Sequence, residues 1–222
     1  INQSKSLSFP KVWCDINNDL LWTFNLHYFE DFISQNANKK ASFHLEFFNK
    51  WIKHNHVGTG IGWHAYPLSL RISNILKSYL NGLPLEKLHF DSLYVQSEYL
   101  LQTQEKHLLG NHYFVNLKAL YFAGTLFQNK KWLRVATSCL IDQIEEQVLS
   151  DGGYFELSPM YHASILADML DIYNLSRSYP VEESYSLRKL VEKKIPKIKR
   201  SGSEFEKIFK FASSANIFLI IR

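Results

Sequence analysis

Apolar residues recur along most of this chain at intervals of three and four residues, the spacing that places them on one face of an α-helix. Leu117, Leu120 and Tyr121 show this spacing in one segment, and Ile165 and Met169 show it in another. The alternation of apolar and polar residues that marks a half-buried strand is hard to find, and Gly and Pro lie mostly between the periodic segments. The pattern predicts an all-α protein.

Helix-start signals recur along the chain at nearly even intervals. They are the pairs Tyr66-Pro67, Gly110-Asn111 and Ser158-Pro159, in which Pro67 and Pro159 suit the first helical position and Asn111 and Ser158 suit the cap. Ser203 with Glu206 adds a capping-box pattern. The spacing of about 45 residues leaves room for two helices in each interval, which is typical of stacked helical hairpins.

Such hairpins build either an open solenoid or a closed α/α toroid with inner and outer rings of helices. Open solenoids usually keep small residues at fixed positions of each repeat. Here only the helix-start signals repeat, and the segments around them carry polar and aromatic residues that a stacking unit does not need. We therefore favour the toroid.

Composition and charge narrow the functional classes. Aromatic residues make up 15% of the chain, which suits either a large core or a cleft in which rings stack on sugars. The net charge is +4, and a basic run at 193–200 is typical of a solvated helix face, although it could also attract an acidic polymer. No basic stripe indicates a nucleic-acid surface, and no apolar stretch is long enough to predict a membrane span. The oligomeric state is not readable.

Polar and aromatic residues gather near the helix starts. In a toroid the inner helices run parallel, so their N-termini meet at one end and attract anions. Each residue has an ordinary structural interpretation: helix punctuation for Asn111, a half-exposed histidine for His112, a packed aromatic for Tyr161 and an ion-pair partner for Arg71. Their coincidence at successive helix starts favours a functional site. The candidates are Asn25, Tyr28, Trp63, Tyr66, Arg71, Asn111, His112, Asn116, Glu156, Tyr161 and His162.

These residue types fit one class of reaction better than others. The carboxylate pair of a glycoside hydrolase is missing, as are a GxSxG elbow and any His cluster with metal-ligand spacing. We expect no metal ligand among the candidate residues and no cofactor, and metal dependence is not readable from the sequence. β-Elimination from a uronate fits, because an Asn at a helix start can stabilise the charge that develops on the sugar carboxylate. A Tyr or His can then take the proton and return one to the departing oxygen.

Four segments together resemble a known family. WTFNLHY (22–28), WHAYPLSLR (63–71), NHYFVN (111–116) and DGGYFELSPMYH (151–162) look like the N-terminal toroid of heparinase II/III-type polysaccharide lyases, over roughly residues 10–180. The resemblance implies β-elimination on acidic, uronate-containing polysaccharide in the periplasm or outside the cell. It makes Asn111 the carboxylate-neutralising residue and Tyr161 the catalytic one, with His112 and His162 beside them. The remaining candidates would line the cleft and bind substrate.

The resemblance also implies parts that this sequence lacks. Members of the family add a β-sheet domain that supplies a further catalytic His. Here we expect an incomplete toroid over 1–213 and an aberrant apolar tail over 214–222, produced by a frameshift or premature stop near Ser213. Three hypotheses follow: a lyase domain that is impaired as this chain, a non-catalytic module that binds acidic polysaccharide, or a structural protein of helical hairpins.

Overall fold

The computed structural model describes residues 5–15, 17–108 and 110–201. Helices make up 74% of the structure, and no strand occurs in the described ranges, so the prediction of an all-α chain is confirmed. None of these helices combines the length and the apolar character needed to cross a bilayer. The described α-helices are α1 (Leu20–Tyr28), α2 (Ala41–His54), α3 (Ala65–Leu80), α4 (Lys87–Thr103), α5 (Gly110–Leu126), α6 (Lys130–Gln147), α7 (Pro159–Ser178) and α8 (Tyr185–Ser201).

The helix starts fall within a residue or two of their predicted places. Ser158 is the N-cap of α7 and Pro159 is its first residue, as predicted. Two details were wrong. Pro67 is the third residue of α3 instead of the first, and it is tolerated because the first-turn N–H groups have no partner within the helix. Asn111 is the second residue of α5 instead of its cap.

The predicted capping box of Ser203 and Glu206 lies outside the described residues, as does the predicted tail of 214–222. The division into a domain over 1–213 and a tail therefore stays a prediction. By its internal packing the chain forms two compact units, Ile1–Gln104 and Glu105–Arg222.

In the first unit, α3 is the central helix. It packs against α1, α4 and the short 3₁₀ turn Glu30–Ile33, and most of its length is buried. Much of the aromatic content of the sequence fills the core around it. The buried rings of this unit include Trp13, Phe29, Phe32, Phe47, Phe48, Trp51 and Trp63.

In the second unit, α5 is the helix that the others cover. Every residue from Tyr113 to Thr125 is buried, so this part of α5 is enclosed on all sides. It packs against α6 and α7, while α8 packs against α7 and α6.

The segment between α6 and α7 is a tight reversal of the chain. Val148 and Tyr154 form an isolated antiparallel bridge, and the Leu149 N–H donates to the Gly153 carbonyl at 2.9 Å. Asp151 stabilises the turn by accepting the Gly153 N–H on Oδ1 at 2.8 Å. These bonds make residues 149–153 a closed turn.

The basic run on α8 is only partly solvated. Lys193 is exposed, but Lys194 is buried with its Nζ 2.7 Å from Glu145 and 3.1 Å from the Val148 carbonyl. Ile195 beside it is buried as well. The run therefore marks one amphipathic helix, and part of its positive charge is neutralised inside the second unit.

We expect the substitution Gly152→Ala to destabilise the protein strongly. Gly152 has φ of +95°, and a Cβ built on it would lie against the Lys197 carbonyl and 2.8 Å from the Ile198 nitrogen, which are backbone atoms that cannot turn aside. Conformational strain and overpacking together should lower the free energy of unfolding by roughly 2–4 kcal/mol, measured by denaturant titration.

Gly82→Ala is the matched control for this substitution. Gly82 has a similar φ of +98°, but nothing lies within 4 Å of a Cβ built there. This control should therefore cost only the backbone strain, about 1 kcal/mol. Equal losses in the two variants would show that the close approach to α8 is unimportant.

Candidate functional site

The start of α5 presents the first group of candidate residues in the second unit. Asn111 and His112 lie in the first turn; His112 is exposed and Asn111 is half-buried. The His112 Nδ1 lies 3.3 Å from the Glu105 carboxylate in the loop before the helix. Asn116 is fully buried one turn further on, and its Oδ1 accepts the backbone N–H of Glu105 at 2.8 Å. Asn116 therefore fastens the loop to the helix, which favours a structural role over sugar binding.

A buried chain of hydrogen bonds joins the start of α5 to the segment that leads into α7. The Tyr154 hydroxyl donates to the Gln147 Oε1 at 3.2 Å, and the Gln147 Nε2 donates to the Gly110 carbonyl at 3.1 Å. The exposed Glu156 comes close to Gly110 as well, since its carboxylate lies 3.3 Å from a Cβ built there. These bonds hold the first residue of α5 next to the approach to α7.

Tyr161, at the third position of α7, belongs to the same cluster. It is half-buried, and its ring centre lies 6.2 Å from that of Tyr154. Burial raises the pKa of the Tyr154 phenol above its ordinary value, and the neighbouring Glu156, Tyr161 and Asp168 raise it further. Tyr154 therefore stays protonated and serves as a hydrogen-bond donor within this cluster.

A buried ion pair ties α5 to α7 below these first turns. Lys118 on α5 pairs with Asp168 and, at 3.3 Å, with Asp171, both on α7. Burial alone would lower the pKa of Lys118, but the two carboxylates, Asp168 foremost, outweigh it and raise the pKa. The helices α5 and α7, which carry Asn111 and Tyr161, are thus held together by an ion pair.

His162 has a different environment from its neighbour Tyr161. It is buried, and its Nε2 lies 3.1 Å from the Ile198 carbonyl on α8, so this nitrogen carries a proton and donates it. A ring held in this way packs α7 against α8. The geometry favours this structural role over the predicted catalytic one.

Arg71 in the first unit is fully buried, although the sequence placed it in a cleft. Its guanidinium donates to the side chain of Gln96 and to the carbonyls of His27 and Gly62, at 2.8–3.2 Å. The same group lies 3.8 Å from the centre of the Trp51 ring, a cation–π contact. These neutral partners occupy Arg71, so it organises the interior of the unit.

His27 completes the network around Arg71. Its Nε2 lies 3.0 Å from the Trp13 carbonyl and its Nδ1 accepts the Trp51 indole N–H at 3.0 Å, which defines a neutral ring with the proton on Nε2. Burial, and next the positive charge of Arg71, lower the pKa of His27 to about 4.

The other candidates of the first unit differ in how accessible they are. Trp63 is buried with its indole N–H 3.3 Å from the Asn55 carbonyl, and Tyr28 is buried against the edge of Tyr66. Asn25 is exposed and donates to the Leu21 carbonyl at 2.7 Å, and Tyr66 is half-buried. Asn25 and Tyr66 thus remain candidates for ligand contact.

Sequence analysis missed several residues that the structure places beside the candidates. Glu105 and Gln147 contact the start of α5, and Tyr154 lies next to Tyr161. Tyr154 was within a recognised segment, but its aromatic character alone did not separate it from core residues. In the first unit, the ring centre of exposed His64 lies 5.7 Å from that of Phe24, with the two rings tilted at 56°. No cluster of His, Cys, Asp and Glu suited to a metal occurs in the described part of the chain.

Comparison with solved structures defines the class of this helical protein. It is similar to the heparan sulfate lyase HepC of Pedobacter heparinus, with a TM-score of 0.62 and 19% identity over 86% of this chain and 33% of that one. A mutant of the same lyase gives a TM-score of 0.63 and 21% identity over 82% of this chain and 32% of that one. The likeness shows the fold, an α/α toroid of helical hairpins like the N-terminal domain of that lyase, and confirms the predicted fold class.

Residues 16–192 match the sequence model described as Heparinase II/III N-terminus. The chain therefore belongs to the heparinase II/III family and represents its N-terminal domain. A heparin-sulfate lyase of Bacteroides thetaiotaomicron is 27% identical over 169 residues, 67% of this chain and 24% of that protein. One of Pedobacter heparinus is 29% identical over 99 residues, 43% of this chain and 15% of that protein. The chain thus spans a quarter or less of these curated relatives.

His27 makes the stability of the first unit depend on pH. Its pKa of about 4 lies below the ordinary value of 6.5, so the folded state binds fewer protons than the unfolded state between these values. The contribution of His27 is present above pH 6.5 and is lost as the pH falls through 4. We expect the free energy of unfolding to fall by about 3 kcal/mol more between pH 7 and pH 4 in the wild type than in His27→Gln.

Substitution of an exposed histidine, His56→Gln, is measured beside His27→Gln as the control for the change of residue type. An NMR titration measures the His27 pKa directly. A value near that of a free histidine would contradict this prediction.

Proposed function

We propose that this chain is the helical, sugar-binding part of a polysaccharide lyase that acts on uronate-containing acidic polysaccharide by β-elimination. Asn111 neutralises the sugar carboxylate, Tyr161 transfers the proton, and His112 assists beside Asn111. Asn25, Tyr66 and Glu156, which are exposed or half-buried, contact the polymer. Arg71, Asn116 and His162 act through packing. The reaction uses no cofactor, and it takes place in the periplasm or outside the cell.

The proposal rests above all on the hydrogen bonds that connect the start of α5 to the segment before α7 in the second unit. The hydrogen bonds from Tyr154 through Gln147 to Gly110 connect the turn that carries Asn111 to the segment that leads to Tyr161. Helix starts favour negative charge, because their N–H groups and dipoles point outward. An anionic sugar held there has an amide donor from one helix and a phenol from the other. Family membership supports the same assignment.

The chemistry needs a donor for the carboxylate and a group that moves protons. The base removes the proton on C5 of the uronate and leaves an electron pair there. This pair forms the C4–C5 double bond as the bond from C4 to the glycosidic oxygen breaks, and that oxygen takes up a proton. The developing negative charge spreads onto the carboxylate, where the Asn111 amide stabilises it without adding a charge of its own. Tyr161 takes part in moving this proton from C5 and in returning one to the glycosidic oxygen.

A second candidate function is a module that binds acidic polysaccharide without cleaving it. The engagement of His162 with the Ile198 carbonyl favours it, because it removes one predicted proton-transfer group from the helical part. A purely structural protein of helical hairpins is the third alternative.

The substitution Tyr161→Phe tests the lyase directly. The purified chain is incubated with a panel of uronate polysaccharides, and the ultraviolet absorbance of the unsaturated product is followed. Removal of the hydroxyl that moves the proton should lower kcat at least about 100-fold while the fold is kept. Tyr173→Phe, later on α7, is the matched control and should leave kcat unchanged. No product from the wild-type chain, with binding retained, would favour the binding module.

The substitution Asn111→Ala separates the three alternatives. A lyase should lose about 100- to 1,000-fold in kcat and keep much of its affinity, because the amide acts mainly on charge that develops during the reaction. A binding module should lose affinity for the polysaccharide, measured by calorimetry, and a structural protein should lose neither. Normal turnover in this variant would eliminate Asn111 from the mechanism.

A further inference from the structure

Glu105 is the residue that contacts the start of α5 from outside the helix. It lies in the loop before α5, and its side chain is only 18% exposed. One carboxylate oxygen lies 3.3 Å from the His112 Nδ1 and 3.5 Å from the Asn116 Nδ2. Its backbone N–H donates to the Asn116 Oδ1 at 2.8 Å. Glu105 thus contacts both the buried Asn116 and the exposed imidazole of His112 on the same helix.

The contact with Glu105 determines which nitrogen of His112 carries the proton. An ionised carboxylate can only accept hydrogen bonds, so the nitrogen that faces it must donate. In the neutral ring this puts the proton on Nδ1 and makes Nε2 the nitrogen that accepts a proton.

We propose that Glu105 is a positioning residue of the site, which sets the tautomer and the orientation of His112 and acts on the sugar only through it. Asn116 makes this possible, because its buried amide fixes the backbone and the carboxylate of Glu105 at the same time. The effect on catalysis rests on the proposed lyase function, but the tautomer of His112 does not.

A loop-closing role alone predicts something different. If Glu105 only fastened the loop, the hydrogen bond from its backbone N–H to Asn116 would be enough for that role. The tautomer of the His112 ring would then not depend on the Glu105 carboxylate. The decisive measurement is therefore the protonation pattern of the ring itself.

The experiment uses the full chain with ¹⁵N-labelled histidine, and His112→Gln identifies the His112 signals. Spectra are recorded at roughly pH 8.5, about two units above the ordinary histidine pKa, so that the ring is neutral. In the wild type the ¹⁵N shifts should report the proton on Nδ1. In Glu105→Ala the two tautomers should become mixed. Glu105→Gln, which keeps the shape and an acceptor for Asn116, should give an intermediate pattern and covers the case in which the Ala variant folds poorly.

Glu192→Ala, at an exposed position of α8, is the control and should leave the His112 spectrum unchanged. A wild-type proton on Nε2, or an unchanged His112 tautomer in both Glu105 variants, would overturn the proposal. With a cleavable substrate, Glu105→Ala should lower kcat on the order of tenfold with KM nearly unchanged. A chain that cleaves nothing but shows the expected tautomer change would refute the lyase function and leave the role of Glu105 intact.

Discussion

The arrangement of the candidate site depends on the burial of one ammonium group, that of Lys118, between α5 and α7. Two carboxylates meet it there, and charges with so little solvent are tolerated only when their geometry is good and their remaining hydrogen bonds are satisfied. Any sliding or rotation of α5 against α7 would leave at least one charge unpaired in the interior. The pair therefore fixes the register of two helices whose first turns carry Asn111 and Tyr161. Its contribution is specificity of alignment more than net stability.

The interior of the first unit uses the opposite solution for a buried cation. Arg71 is surrounded by neutral acceptors and by the face of Trp51, and its charge pushes His27 toward the neutral state. Each group constrains the other, because a protonated His27 could no longer accept the indole N–H of Trp51. Residues that look like ligand-binding groups in a sequence can thus be buried and serve to hold the core together. The polar content of a motif does not show whether it faces a substrate or the core.

This ambiguity explains which features of the fold and of the candidate site could be predicted from the sequence. Periodicity, proline and cap residues predicted the all-α fold and the start of α7, because those signals are local. The approximate places of Asn111 and Tyr161 followed for the same reason. The burial of Arg71 and Asn116 was out of reach, since it depends on partners such as Gln96 that no local pattern connects. Glu105 and Gln147 were missed because a single Glu in a polar loop, or a Gln near a helix end, looks like an ordinary surface residue. For Gln147 a signal was available, since Gln recurs four residues apart, at 143 and 147, on an apolar helix face.

The corrected position of Asn111 strengthens its proposed role. A capping asparagine uses its side-chain oxygen to accept a backbone N–H of its own helix, which turns the amide toward the helix axis. As the second residue of α5, Asn111 is not required for that bond. The first turn of α5 also carries N–H groups that helical geometry leaves without intrahelical partners, and these favour an anion at the same end. A carboxylate there would meet backbone and side-chain donors together, whereas a cap would have offered it the backbone alone.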